Sequence, residues 1–274
     1  MDDRLVIDIG GVVCEVHLPQ PEWRAPLAER YVEFLSEEDS AWQITLRHDP
    51  TLTDTEDDSI EYVGDVTQFR VAAYIGSIDL GFHRATVSTP GEDRAASALE
   101  RVLSYICMQT LPRRGSALWL HAAGLVLNGN GYVFFGPSGA GKTTLSLLAR
   151  DRAEILSDEN IIVRCSAAGP QLLSTPFWGG STPCDLIRRV RRTVPLRALF
   201  AMRHTPDFAV RPLSASEAVL ALLATEKVAT ERVDSASAWL GAAAQVVQEI
   251  PVYELAFAPT LTLWSFLEQH NLIS

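Results

Sequence analysis

The chain has 274 residues, 47% hydrophobic and 21% charged, with 17 Gly and 15 Pro. That composition excludes a disordered, collagen-like or low-complexity chain, and the length allows one large domain or two modest ones. The formal charge of -11 arises wholly in residues 1–115, which hold 10 Lys+Arg against 21 Asp+Glu, while residues 116–274 hold 13 of each. A field of that sign repels nucleic acid and anionic membranes. The four cysteines (Cys14, Cys107, Cys165, Cys184) stand singly, without a CxxC pair, and read as reduced thiols, mostly buried. The apolar stretches, such as Ala117–Leu127, are broken by residues like His121 and fall short of the roughly 20 residues a membrane span needs. The start Met1-Asp2-Asp3-Arg4 is acidic rather than a basic leader, so a cytoplasmic location is expected.

In chain order, the first hundred residues alternate apolar and polar in short runs, predicting strands at Arg4–Val16, Trp42–Arg47, Gln68–Tyr74 and Ile78–Ser88. Pro21–Leu35 has room for a helix, and Asp49–Ser59 is a polar, acidic loop. From Gly91 to Thr110 the period changes: Ala95, Leu99, Val102, Leu103 and Ile106 share one helical face, and the helix is expected to end before Pro112-Arg113-Arg114-Gly115. That stretch is a junction, giving a strand-rich α+β domain over 1–115 and a second domain over 116–274. In the second domain, Leu118–Leu127 and Tyr132–Phe135 read as strands around an Asn128-Gly129-Asn130-Gly131 hairpin turn. Thr143–Arg150 reads as a helix, and Glu154–Leu156 and Ile161–Arg164 as strands around Ser157-Asp158-Glu159-Asn160. Ser214–Thr225 is a helix opened by a capping box of Ser214 and Glu217, Val252–Phe257 a strand and Leu261–His270 a closing helix. The alternation makes this part an α/β layer structure.

Chemistry concentrates at Gly136-Pro137-Ser138-Gly139-Ala140-Gly141-Lys142-Thr143, followed by Thr144. The segment satisfies G-x-x-x-x-G-K-[ST] between a strand and a helix, the context a phosphate-binding loop (P-loop) requires. There the backbone N–H groups wrap a phosphate, Lys142 neutralises its oxygens, and the Thr143 hydroxyl ligates Mg2+. Only Lys142 and Lys227 are lysines among 23 basic residues, so the loop keeps a compact ammonium where the chain otherwise uses Arg. With the site empty that ammonium is expected to face solvent. Asp158 and Glu159 follow Lys142 by 16 and 17 positions, at the end of a strand expected to return beside the loop strand. Two carboxylates would then stand near phosphate and metal; the plain alternative is a solvated acidic turn. His121 ends an apolar run 21 positions before Lys142 and is either a satisfied core residue or a group reaching the phosphate end of the sheet.

The run His121-Ala-Ala-Gly-Leu-Val-Leu, the loop Gly136–Thr144, and Ile155-Leu156-Ser157-Asp158-Glu159 together resemble the catalytic core of the HPr kinase/phosphorylase family, whose P-loop domain is akin to that of phosphoenolpyruvate carboxykinase. The later Thr175-Pro176-Phe177-Trp178-Gly179-Gly180, Pro195–Phe200, Pro212-Leu213 and Pro251-Val252-Tyr253 are similar to a looser HPr-kinase-like bacterial group that includes lasso-peptide kinases. The resemblance covers roughly residues 116–260 and implies an ATP- and Mg2+-dependent kinase. In it Asp158 is the base for an attacking hydroxyl, Glu159 helps hold Mg2+, and His121 orients or tunes Asp158. Glu159 stands where HPr kinases proper have a second Asp, and their Gly-Pro-Val-Arg-Pro-Gly-Arg-Asn type stretch has no counterpart, which implies a forward-only kinase whose acceptor is not HPr. The expected acceptor is a Ser/Thr hydroxyl of a protein or peptide, docked on residues 1–115. A small-molecule acceptor and an ATP-binding regulatory protein that transfers nothing are the alternatives, and a homo-oligomer is left open. Arg188, Arg189, Arg191 and Arg192 read as a solvated basic helix face, one of them available to stabilise transferring charge. Phe177 and Trp178 belong either to a mobile flap or to the core.

Overall fold

The computed structural model describes residues 3–115, 117–226 and 233–273, so Lys227 lies outside the described residues. The chain is mixed α/β with two sheets, one in each of two compact units, Met1–Cys107 and Met108–Ser274. No described helix is long and apolar enough to cross a membrane.

In the first unit the alternation over Arg4–Val16 does not run on as a single strand. Gly10 and Gly11, both at positive φ (63° and 88°), turn it into a hairpin of β1 (Arg4–Ile9) and β2 (Val12–His17). The chain crosses through α1 (Arg24–Arg30) to β3 (Trp42–His48), parallel to β2. Then β4 (Ser59–Val63), β5 (Val66–Val71), β6 (Tyr74–Asp79) and β7 (Arg84–Thr89) form an antiparallel meander whose last strand lies parallel to β3. The order β1-β2-β3-β7-β6-β5-β4 leaves β4 at an edge. The helical stripe Ala95, Leu99, Val102, Leu103 and Ile106 is fully buried on α2 (Glu92–Arg113). This helix runs one residue past Pro112 instead of stopping before it, because a proline in the final turn forfeits a single bond and the Arg113 guanidinium donates to the Gln109 carbonyl there. The division between the units falls inside α2.

The second unit starts with β8 (Ala117–Leu120), β9 (Ala122–Leu127) and β10 (Asn130–Phe135). Asn128 and Gly129, at φ 47° and 79°, make the tight hairpin turn between β9 and β10. After α3 (Lys142–Ala149) come β11 (Glu154–Ser157), β12 (Ile161–Ser166), β13 (Gly169–Leu173), the long β14 (Thr193–His204) and β15 (Ala209–Pro212). Then follow α4 (Ala215–Leu223), α5 (Val233–Glu249), β16 (Val252–Phe257) and α6 (Thr262–Gln269). Strand order is β11-β9-β10-β14-β13-β12-β8, with β16 against β14 and β15. The loop strand β10 is parallel to β14, which is parallel to β16.

Successive residues of β10 enter opposite cores: Val133 and Phe135 join Trp239, Val246 and Leu222 on the α4–α5 side, while Tyr132 and Phe134 join Leu145, Trp264 and Leu267 on the α3–α6 side. Burial on both faces explains the unbroken apolar runs. Helix α4 has its capping box, Ser214 accepting from the Glu217 N–H while the Glu217 carboxylate accepts from the Ser214 N–H. Of the cysteines, Cys14, Cys107 and Cys165 are buried and Cys184 exposed, each outside any disulfide.

Three readings are corrected. The run Leu118–Leu127 is two strands broken at His121, since β8 pairs with β12 whereas β9 pairs with β10 and β11. Strand β11 does not lie beside β10, because β9 stands between them. Residues 188–192 are not helical: the Ser174 hydroxyl donates to Val190 O (2.6 Å) and accepts from Arg192 N–H (2.8 Å), so this backbone pairs with Ser174 rather than with itself. Within the segment, Arg189 donates to Pro176 O (3.1 Å) and Arg192 pairs with Glu154 (3.1 Å).

Candidate functional site

Strand β9 runs antiparallel to β10 with Ala122 opposite Phe135, so His121 stands at the end of the sheet where Gly136 begins. Ser157, the last residue of β11, pairs with Gly124 near that end. Three separate sequence signals thus meet at one end of neighbouring strands, which is where open α/β sheets bind ligands.

Between β10 and α3 the chain turns through Gly136–Gly141, with Pro137, Ser138 and Gly139 exposed and Ala140 buried. Gly139 and Gly141 have φ of 82° and 98°. A side chain on Gly141 would be strained by that backbone conformation, and its Cβ would stand a tight 3.0 Å from the Phe257 ring. Lys142 opens α3, followed by half-buried Thr143 and exposed Thr144. Contrary to expectation, the Lys142 ammonium does not face solvent. It is buried, donating to Gly136 O (3.0 Å), because the loop carbonyls take it up. Burial pushes its pKa down, while the charges of Glu159, Asp158 and Glu226 pull it back up.

The acidic pair sits on a turn built by Ser157. Its hydroxyl donates to Phe177 O (2.7 Å) and accepts the N–H groups of Glu159 (3.0 Å) and Asn160 (3.1 Å). Asn160 is held in turn by Trp119 Nε1 (3.0 Å) and Thr175 Oγ1 (2.6 Å). The two carboxylates diverge: Asp158 is buried, accepting from Thr182 Oγ1 (2.7 Å) and Gly179 N–H (3.2 Å), while Glu159 is partly exposed. The His121 ring meets Glu159, Nδ1 to Oε1 3.3 Å, so the expected orientation of Asp158 by His121 gives way to orientation by Thr182 and Gly179. Phe177 and Trp178 are buried, Phe177 packing on Trp119 with ring centroids 5.6 Å apart, and both fill the core rather than form a flap.

Sequence reasoning missed two side chains. Thr182 follows the Gly179-Gly180 pair in an unpatterned loop. Glu226 is the first charge after the apolar run of α4, a faint signal in the sequence. It is buried, and its carboxylate accepts the His121 N–H (2.8 Å). Burial raises its pKa to about 7, opposed by that hydrogen bond and by the charges of His121 and Lys142. The folded chain therefore holds a proton on Glu226 between its ordinary value near 4.5 and about 7, where the unfolded chain has lost it. The contribution of this group to stability falls as pH rises through that window, by on the order of 3 kcal/mol in all. Glu226→Gln keeps an acceptor for His121 and should remove that slope, which urea denaturation across pH 4.5–7.5 measures; equal slopes in both proteins would mean that Glu226 is ionised throughout.

Among the described residues no three His, Cys, Asp or Glu side chains form a metal cage. Carboxylates and a threonine hydroxyl are donor types that Mg2+ takes together with substrate phosphates.

Fold and site define the class: an α/β protein with a glycine-rich strand–loop–helix turn facing a carboxylate pair at one end of a layered sheet. The chain belongs to the ScmC family, described as SynChlorMet cassette protein ScmC, whose sequence profile matches residues 90–272. No curated protein matches the chain. Among solved structures, the Hpr(Ser) kinase/phosphatase from Coxiella burnetii is similar at 14% identity, over 56% of this chain and 98% of that one, with a TM-score of 0.30. A score of that size does not define a shared fold.

Proposed function

We propose that this protein is an ATP-dependent kinase of the P-loop type, transferring the γ-phosphoryl group to a Ser or Thr hydroxyl of a protein or peptide. The observation that supports the reading is that one buried ammonium, Lys142, at the mouth of a glycine-rich turn, feels the charges of Asp158 and Glu159 together. A loose phosphoryl-transfer transition state asks for alignment and neutralised charge rather than covalent help. The N–H groups of Gly136–Thr143 hold the phosphates, and Lys142 leaves its loop carbonyls to meet the β and γ oxygens. Asp158, kept in one orientation by Thr182 and Gly179, takes the proton of the attacking hydroxyl as its oxygen bonds the γ-phosphorus and the bond to ADP breaks. Thr143, Asp158 and Glu159 would hold Mg2+, which would supply charge neutralisation to the phosphates. His121 fixes Glu159 in place. Membership of a cassette-protein family supports a dedicated acceptor over a general metabolite.

Incubating the purified chain with γ-labelled ATP, Mg2+ and a lysate of the source cell should label a polypeptide seen on a gel. Label found only in a small molecule would move the acceptor, and neither label transfer nor ATP consumption would sink the kinase reading. Within it, Glu159→Gln should raise the Mg2+ concentration needed for half-maximal transfer, with excess metal restoring part of the rate. An unchanged metal requirement would take Glu159 out of the metal site.

A further inference from the structure

We propose that the open edge of β4 is a docking strand, which an extended, basic segment of the acceptor joins as an additional strand of the first unit's sheet. Calling the bound chain the acceptor rests on the kinase reading; the strand addition does not.

Strand β4 ends its sheet and, among the described residues, pairs with β5 alone. Its turn is the two-residue Gly64-Asp65, and such a loop closes on a hydrogen-bonded pair, here Val63 and Val66. Bonded pairs then recur at Glu61 and Ser59, which leaves the backbone N–H and C=O of Ile60 directed to the open side. Natural sheets blunt such edges with Lys, Pro or a bulge. The sequence Ser-Ile-Glu-Tyr-Val has neither residue, and its register against β5 runs unshifted from Ser59↔Arg70 to Val63↔Val66. The side chains are equally unfinished. Ile60 lies opposite Phe69, on the face whose Phe69 is 7% exposed, yet is itself 45% exposed. At the turn end, Val63 and Phe82 are exposed, and Leu80 N–H donating to Asp65 O (3.1 Å) ties their two turns together.

Charge selects the occupant. Residues 49–65 carry seven carboxylates and neither Lys nor Arg; Asp54 is taken by Arg94 (3.1 Å), while Glu56, Asp57 and Glu61 are exposed beside the edge, with Arg70 on the neighbouring strand opposite Ser59. A second copy would bring two acidic strips together, and like charges across a strand pair destabilise it. A strand alternating basic and apolar residues instead places apolar side chains beside Ile60 and cations beside Glu61, the backbone giving affinity and the side chains selectivity.

The test uses the full-length chain without nucleotide and a fluorescein-labelled octapeptide, Lys-Val-Lys-Thr-Lys-Val-Lys-Thr, read by anisotropy. Wild type should bind it at least about tenfold more tightly than the version with Glu for every Lys, and more weakly as salt rises. Ile60→Pro removes the outward donor without touching the ladder and should weaken binding about tenfold or more; if that variant does not fold, Ile60→Lys serves, by adding a cation to the edge. Glu61→Lys should reverse the preference toward the acidic peptide. Binding unchanged in the Ile60 and Glu61 variants overturns the proposal, and so does a dimer in sedimentation that Ile60→Pro dissociates, because a second copy would then own the edge. Docking without label transfer would count against the kinase reading alone, and label transfer untouched by the edge variants against docking alone.

Discussion

ATP–Mg2+ will raise the melting temperature of the wild-type chain and leave that of Lys142→Ala where it was. A ligand at a hundred times its Kd stabilises the native state by about 2.7 kcal/mol, roughly 5 to 10 °C for a unit of this size. That increment disappears if Lys142 is the cation the phosphates need. The comparison has to be of shifts, not of absolute melting temperatures, because the ammonium is buried and bonded to Gly136 O. Its removal frees two loop carbonyls and deletes a packed stem, so the empty variant should itself melt lower. Lys142→Met restores the stem without the charge, recovering stability but no nucleotide response. A full nucleotide-induced shift in either variant would show that the turn after β10 is not a phosphate site.

Asp158→Asn will separate binding from chemistry. Asparagine retains an oxygen that accepts the Gly179 N–H and a Thr182 hydroxyl free to rotate, so the turn on Ser157 should hold its shape. What is lost is the proton acceptor. Nucleotide affinity should stay near wild type while phosphoryl transfer falls at least about 10²-fold, as for removal of a general base. Single-turnover rates beside a nucleotide-binding titration make the distinction; transfer at the wild-type rate would place the base elsewhere.

Much of the second unit is legible locally because its signals are backbone requirements. Asn128-Gly129 adopts the paired positive φ that its sequence announces, Ser214 and Glu217 cap α4, and Gly141 adopts a conformation that favours glycine. What the sequence hides is pairing. Leu118–Leu127 reads as one strand because both halves are buried and apolar, and only the change of partner at His121 breaks it. The insertion of β9 between β11 and β10 is likewise a matter of long-range register, which local pattern does not encode. The short strand read over Glu154–Leu156 ends just before the Asp158-Glu159 pair and so places it at the sheet end. The tertiary partners Thr182 and Glu226 lie in stretches whose local sequence carries no period. Of the Arg188–Arg192 cluster, two members serve structure, Arg189 on Pro176 and Arg192 on Glu154, an assignment that depends on loops meeting across the fold.

The order of pieces along the chain bears on how such a site comes into being. The His121 bend, the β9–β10 hairpin, the glycine turn, α3 and the Ser157 turn occupy one uninterrupted stretch, residues 121–159. Contacts of short sequence separation close quickly, since little loop entropy opposes them, whereas β14, β16 and the Thr182 and Glu226 side chains arrive from far downstream. During synthesis the ribosome therefore releases the rudiment of the site before the strands and side chains that lock it, and a nascent chain that had emerged only as far as residue 160 would present a half-built cradle, its Asp158 still without the threonine that steadies it.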